Sequence, residues 1–169
     1  GGNNTDAGGT TLSEGVLQVA ADNRLGQAGG ALNFNGGTLR IAGTSFGSTA
    51  RNITWGGVGG GFDVASAANT FTAAQDLTGV GRLTKTGAGT LVLAGANNLA
   101  SGVNLAAGTL RAGQAGSLGT GVLDVTGNAT LGATGNLGLS NALAIAGSNT
   151  LTVAGDTDLT LGGIISGPS

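Results

Sequence analysis

The chain has 169 residues, of which 8% are charged and 40% hydrophobic, and its formal net charge is -2 at pH 7. It contains 37 glycines and one proline, and the glycines lack the three-residue period that a collagen helix requires. The low charge and the hydrophobic fraction also disagree with the composition of disordered chains. The few basic residues are scattered, so nucleic acid is not an expected partner. No apolar run approaches the length of a membrane span, and direct insertion into a bilayer is not expected.

Short apolar pieces separated by glycines run through the whole chain. In residues 8–19, and again in residues 79–113, apolar side chains occupy every second position, which is the period of a strand with one buried face. The glycines between the pieces supply the positive φ that tight turns need. None of the pieces is long enough for a helix. The pattern predicts an all-β chain of short strands connected by glycine turns.

Two internal similarities indicate a repeated unit. Residues 8–19 resemble residues 101–112, and the register extends beyond both segments. The aligned pairs are Gly9 with Gly102, Leu12 with Leu105, Gly15 with Gly108, Leu17 with Leu110, Leu25 with Leu118 and Gly26 with Gly119. A second similarity joins residues 69–72 to residues 149–152. Two similarities in the same linear order support a repeat architecture.

A repeat that contains only short strands cannot bury its apolar side alone, so successive coils must stack on one another. We predict a right-handed parallel β-helix with about three strands per coil. Its coils are expected to hold roughly 20–25 residues, and about seven of them would stack at ~4.8 Å in a single unit over residues 1–169. A β-sandwich is the alternative, but its strands are usually longer and its core richer in aromatic residues than the 3% found here.

Residues 43–71 depart from this pattern, because they contain four of the five aromatic residues and a run of glycines at positions 56–61. We expect an irregular coil or expanded loop whose aromatic side chains fill a wider core. The alternative is a binding feature. Arg51 and Trp55 could share an outward face there and bind sugar or protein, although a lone tryptophan more often packs in a core or loop.

The residue types needed for common catalytic chemistry are missing. There is no histidine, cysteine or tyrosine, so neither a Ser-His-Asp or Cys-His nucleophile system nor a zinc site built on His or Cys is available. The only lysine, Lys85, is not part of a phosphate-binding loop. Asp156 and Asp158 could bind a cation or act as an acid–base pair, but a solvated turn explains them better. Residues 58–64 partly match a calcium-binding β-roll motif, once only. We therefore expect no catalytic residue, cofactor or metal.

Residues 79–113 closely resemble the passenger-associated transport repeat of bacterial autotransporters. The resemblance depends on these positions: Gly79, Gly81, Leu83, Lys85, Gly87, Gly89, Leu91, Leu93, Gly95, Asn97, Gly108 and Leu110. The chain departs from the family pattern because it has no tyrosine after the asparagine. Residues 8–19 look like the second half of another copy, and residues 162–169 look like the beginning of a third.

The resemblance implies a structural β-helical stem of an autotransporter (type V secretion) passenger, which supports secretion, folding and surface display. It implies a cell-surface or secreted location in a Gram-negative bacterium. The partner that it implies is the protein's own C-terminal outer-membrane β-barrel, outside this stretch of sequence, with a host-surface or self-association partner as a further possibility. The alternatives are an adhesion or self-association module and a non-catalytic part of a surface protease or polysaccharide-acting enzyme. The stem itself is not expected to be an enzyme.

Overall fold

The computed structural model describes residues 2–168. Within that range the chain forms short strands and one 3-10 helix, Asp22–Arg24. The strands are β1 Thr10–Leu12, β2 Val16–Val19, β3 Leu32–Phe34, β4 Thr38–Ile41, β5 Ile53–Trp55, β6 Gly60–Val64, β7 Thr70–Ala73, β8 Leu83–Thr86, β9 Thr90–Leu93, β10 Val103–Leu105, β11 Gly108–Ala112, β12 Leu123–Val125, β13 Ala129–Ala133, β14 Leu137–Leu139, β15 Leu143–Ile145, β16 Leu151–Val153, β17 Leu159–Leu161 and β18 Ile165–Ser166. No helix among the described residues is long and apolar enough to cross a membrane.

The strands form three faces that run along one axis. Face 2 is the eight-stranded sheet in the order β18-β15-β12-β10-β8-β6-β4-β2, and face 3 is the five-stranded sheet β16-β13-β11-β9-β7. Face 1 begins as the sheet β1-β3-β5 and ends as the pair β14-β17. The pairing of strands is parallel throughout these sheets.

The chain visits faces 1, 2 and 3 in turn and then rises to the next coil. The register advances by about 21 residues per coil, and about seven coils are stacked. On face 2, for example, Leu17 pairs with Leu39, and Leu39 pairs with Phe62. The prediction of an all-β parallel β-helix with about three strands per coil is therefore confirmed, and the β-sandwich alternative is wrong because no antiparallel pairing occurs in the described sheets.

In the middle of the molecule face 1 is held together without regular strands. Residues 76–79, 96–99 and 116–119 occupy it there, and backbone bonds still join them, as from the Asn98 amide to the Leu77 carbonyl at 2.8 Å. The fourth coil (residues 76–93) and the fifth coil (residues 96–112) both have this form. Side-chain hydrogen bonds, described below, add to these backbone bonds on the first face.

The inward side chains form one continuous hydrophobic core. All five aromatic residues pack together in the second and third coils. The Phe34 ring lies 4.7 Å from that of Trp55 and 4.9 Å from that of Phe62, measured between centroids. Such pairs contribute about 0.5–1.5 kcal/mol beyond the area that they bury. From the fourth coil onward, leucine, valine and alanine fill the core instead.

Residues 43–71, where an irregular coil was expected, contain the regular strands β5 and β6 and the start of β7. Their four aromatic side chains are all buried. The irregular part is the stretch before β5, where face 3 is represented by an isolated bridge from Ser48 to Thr72. In this region the buried side chain of Arg51 joins neighbouring coils through hydrogen bonds.

Candidate functional site

The central feature of residues 79–113 is the turn between faces 2 and 3, which we call the lysine corner and define as Lys85, Thr86, Gly87, Ala107 and Gly108. Lys85 lies on β8 at an inward position. Its neighbours in register are Phe62 in the coil before and Leu105 in the coil after, both fully buried. The lysine side chain is likewise 0% exposed. A charged residue thus occupies a column that is otherwise apolar.

The Lys85 ammonium group is satisfied by backbone carbonyls. Nζ donates to the carbonyl oxygens of Thr86 at 2.6 Å, Gly87 at 2.9 Å and Ala107 at 3.1 Å. An ammonium has three donors, so each N–H has an acceptor. Because Thr86 and Gly87 belong to the fourth coil and Ala107 to the fifth, the side chain joins the same turn of two successive coils.

Burial changes the acidity of this group. Desolvation lowers the pKa of Lys85 to about 8, and the attraction of the nearby Asp63 carboxylate opposes this shift. The direction follows from the loss of water around a charged amine. Since Lys85 is enclosed, its role is to hold the backbone, and it is not placed to react with an external substrate.

The glycines of the lysine corner allow the coils to approach. A Cβ on Gly108 would lie 2.6 Å from the Gly89 carbonyl oxygen and 2.9 Å from Lys85 Nζ. A Cβ on Gly87 would lie 2.7 Å from the carbonyl carbon of Val64. Real Cβ atoms do not come so close to backbone. Gly87 and Gly108 also have φ of +73° and +69°, which favours glycine in any case.

The other signature glycines serve the same purpose at other turns. A Cβ on Gly79 would overlap the Trp55 carbonyl, on Gly81 the backbone of Gly59, and on Gly95 the backbone of Gln75. In each case the obstacle belongs to the preceding coil. Glycine is therefore required at these positions by contact between coils, and at Gly79, Gly81 and Gly95 not by a positive φ.

Asn97 joins three coils on face 1. Its Oδ1 accepts a hydrogen bond from the Leu77 amide at 2.8 Å, and its Nδ2 donates to the Ser117 carbonyl at 2.6 Å. The side chain thus replaces the strand pairing that is missing from the middle of this face. The signature leucines complete the arrangement by pointing into the core with 0% exposure: Leu83, Leu91, Leu93 and Leu110.

The expectation that Arg51 and Trp55 share an outward binding face is wrong. Arg51 is 2% exposed and Trp55 is 3% exposed. Trp55 packs in the aromatic cluster, and its Nε1 donates to the Gly81 carbonyl of the next coil at 3.0 Å. Neither side chain can reach a ligand, because each is enclosed by neighbouring coils.

Arg51 organises the first coil, which has no strand on face 3. Its Nε donates to the carboxylate of Asp22 at 3.0 and 3.1 Å. The other four guanidinium bonds reach backbone carbonyls of residues 22, 26, 27 and 30, over 2.6 to 3.0 Å. The sequence alone does not indicate this role of Arg51, since its partners lie more than twenty residues away. Residues 22–30 are mostly polar residues and glycines, and this composition indicates that no strand forms there.

The two acidic features lie in an exposed turn and in strand β6. Asp156 and Asp158 lie exposed in a turn before β17, as the solvated-turn interpretation predicted. Residues 60–64 of the calcium-like motif are strand β6, and Asp63 in it pairs with Arg40 at 2.8 Å. Within residues 2–168 no group of three or more His, Cys, Asp or Glu side chains could hold a metal ion.

Comparison with known proteins agrees with this geometry. The family model described as the passenger-associated-transport-repeat matches residues 1–19 and 83–112. Neither a curated protein nor a solved structure gives a significant match to the chain. The second matched segment contains the whole lysine corner and runs from β8 in the fourth coil to the end of β11 in the fifth. This β-solenoid therefore carries the passenger-associated-transport-repeat, in residues 1–19 and again in residues 83–112.

Proposed function

We propose that the chain is a non-catalytic stem of an autotransporter passenger, which supports the secretion, folding and surface display of the protein that contains it. The repeat family and the β-solenoid fit such a stem. The proposed location is the cell surface or the medium of a Gram-negative bacterium. The proposed partner is the protein's own C-terminal outer-membrane β-barrel.

The lysine corner is the observation that carries this proposal. Lys85 closes two successive turns with three hydrogen bonds to carbonyls, and the adjacent glycines bring the backbones of the coils into direct contact. These interactions lie inside the molecule and offer nothing to a ligand. What they do is fix one coil on the next.

Tight attachment of each coil to the one before it suits a chain that folds as it emerges from a pore. Each completed coil presents a row of unpaired backbone groups and an apolar surface, on which the next coil can pair and pack. Burial of apolar surface at about 25 cal/mol per Å² then favours forward movement. A corner that locks two coils together would reduce backward unfolding during this process.

The proposal can be tested by placing residues 1–169 before an autotransporter β-barrel and measuring surface exposure with proteinase K on intact cells. Gly87→Ala is expected to reduce the displayed fraction more than Gly43→Ala. Gly43 provides the matched control, because both glycines have φ of +73° but only Gly87 contacts the coil below. Equal display of the two variants at equal expression would contradict the proposed role of the repeat.

A second candidate function is adhesion or self-association through face 3. Its outer side carries a column of five threonines in strict register: Thr70, Thr90, Thr109, Thr130 and Thr152. Within residues 2–168 their hydroxyls have no hydrogen-bond partner in the protein. Concentration-dependent dimers that disappear in Thr109→Lys/Thr130→Lys would favour this function. A monomer at all concentrations would count against self-association.

A further inference from the structure

The two copies of the transport repeat occupy different faces of the solenoid. In residues 83–112 the turn at Gly108 connects β10 on face 2 to β11 on face 3. In residues 1–19 the aligned turn at Gly15 connects β1 on face 1 to β2 on face 2. The sequence repeat is therefore out of phase with the coil by one face.

The backbone conformation of the two copies is nevertheless the same. Gly9 and Gly102 both have φ of +84°, and Gly15 and Gly108 both have φ of +69°. The inward side chains agree as well, since Leu12 and Leu105 are both buried. One and the same local structure is thus built between faces 1 and 2 and between faces 2 and 3.

The outward side chains of the two copies do not agree. Thr11 aligns with Asn104, Gln18 with Arg111, and Glu14 with Ala107. The copies therefore share neither a face nor the chemistry that a ligand would meet. What they share is the glycine conformation and the residues that point into the core.

We infer that the transport repeat of this chain encodes a portable corner, which any two neighbouring faces can use, and that it acts on the folding of the backbone and not as a ligand surface. The functional part of this inference deepens the proposed function and rests on it. The structural part, that the same corner can be built between different pairs of faces, does not depend on the proposed function. A ligand that recognised the repeat itself would have to bind two chemically different surfaces turned to different sides.

The exchange of corner residues tests the inference in the purified chain. Ser13→Ala/Glu14→Ala gives the first corner the residues of the second, and Ala106→Ser/Ala107→Glu does the reverse. Both variants are expected to keep the urea midpoint and the far-UV circular dichroism of the parent. Gly108→Ala is the destabilised reference, because its Cβ would meet backbone of the coil below.

If the variant with alanine at positions 13 and 14 unfolded at as low a urea concentration as Gly108→Ala, the corner would not be portable and the inference would be wrong. If only the reverse exchange were destabilised, the single variants Ala106→Ser and Ala107→Glu would separate the causes. A loss in Ala106→Ser, which adds one hydroxyl only, overturns the inference. A loss confined to Ala107→Glu reports crowding by the larger side chain and leaves portability supported by the first exchange. None of these measurements depends on secretion, so failure here is distinguishable from failure of the proposed function.

Discussion

Replacement of Gly87 by alanine tests whether contact between coils at the lysine corner stabilises the fold. Gly87 and Gly43 both have φ of +73°, and both follow a strand of face 2. A Cβ on Gly43 would meet nothing within 4 Å, whereas a Cβ on Gly87 would lie 2.7 Å from the Val64 carbonyl carbon. The two substitutions share the same backbone strain and differ in steric overlap.

The expected losses follow from these contacts. A left-handed conformation costs an L-residue roughly 1–2 kcal/mol, and Gly43→Ala should lose about that amount. In Gly87→Ala the Val64 carbonyl must also move, and it now accepts a 2.8 Å hydrogen bond from the Gly89 amide. Overpacking costs about 1–3 kcal/mol, and a lost hydrogen bond about 1 kcal/mol. Gly87→Ala should therefore lose about 2–4 kcal/mol more than Gly43→Ala.

Urea unfolding followed by circular dichroism measures both losses. With a slope of about 2–3 kcal/mol per M, the midpoint of Gly87→Ala should lie about 1 M below that of Gly43→Ala. Fluorescence of Trp55, the only tryptophan, gives a second probe, and coincident transitions would justify the two-state treatment. Equal midpoints for the two variants would refute the reasoning, since the strain is common to both.

Three further predictions concern other contacts. The chain lacks histidine, cysteine and tyrosine, and burial lowers the pKa of Lys85 to about 8. Between about pH 8 and 10.5 the unfolded chain thus binds one more proton than the folded chain. The free energy of unfolding should therefore rise with pH across that window by up to about 3 kcal/mol. Urea unfolding at a series of pH values measures this rise, which should be absent in Lys85→Met. Arg51→Met should cost about 3–5 kcal/mol, because it removes the ion-pair partner of the Asp22 carboxylate and the guanidinium donors of the Gly26 and Gly30 carbonyls. Arg40→Met, which breaks an exposed ion pair, should cost at most about 1 kcal/mol, and similar losses for the two variants would contradict the assigned role of Arg51. Asn97→Ala should lower the free energy of unfolding by about 2–4 kcal/mol through two lost hydrogen bonds between coils, and an unchanged thermal midpoint would refute this.

The fold was predictable from the sequence because its cause is local. Alternation of apolar residues in β9 and β11, with glycine between the strands, determines which side of each strand is buried. The need to stack follows, since a single coil has nothing to cover its apolar side. The positions of the signature leucines in the core could be anticipated on the same grounds.

The polar residues of the interior were not predictable in the same way. Lys85 and Arg51 carry charges, and charged residues are almost never fully buried unless they are paired. All the guanidinium partners of Arg51, and the Ala107 carbonyl that Lys85 reaches, belong to other coils, and no local pattern indicates them. The alternation in β8 does place Lys85 on the inward side with Leu83, but it does not show that three carbonyl oxygens lie within hydrogen-bond distance of the amine.

The face assignment of the repeats also required coordinates. The similarity between residues 8–19 and 101–112 is visible in the sequence, and it would ordinarily imply that both segments occupy equivalent positions within their coils. Coil length varies slightly along this chain, as the pairs Phe62 with Lys85 and Thr90 with Thr109 illustrate. These small differences in coil length accumulate along the chain. Two segments that align in sequence can therefore lie on different faces of the solenoid.

The enclosure of Lys85 has a practical consequence for chemical probing of this protein. Because it is the chain's only lysine, no side-chain amine of the folded protein is open to acylating reagents. Labelling of that amine would therefore report opening of the fourth and fifth coils directly, against no background from other lysines. Mass spectrometry of the modified peptide would then give the rate at which these two coils open.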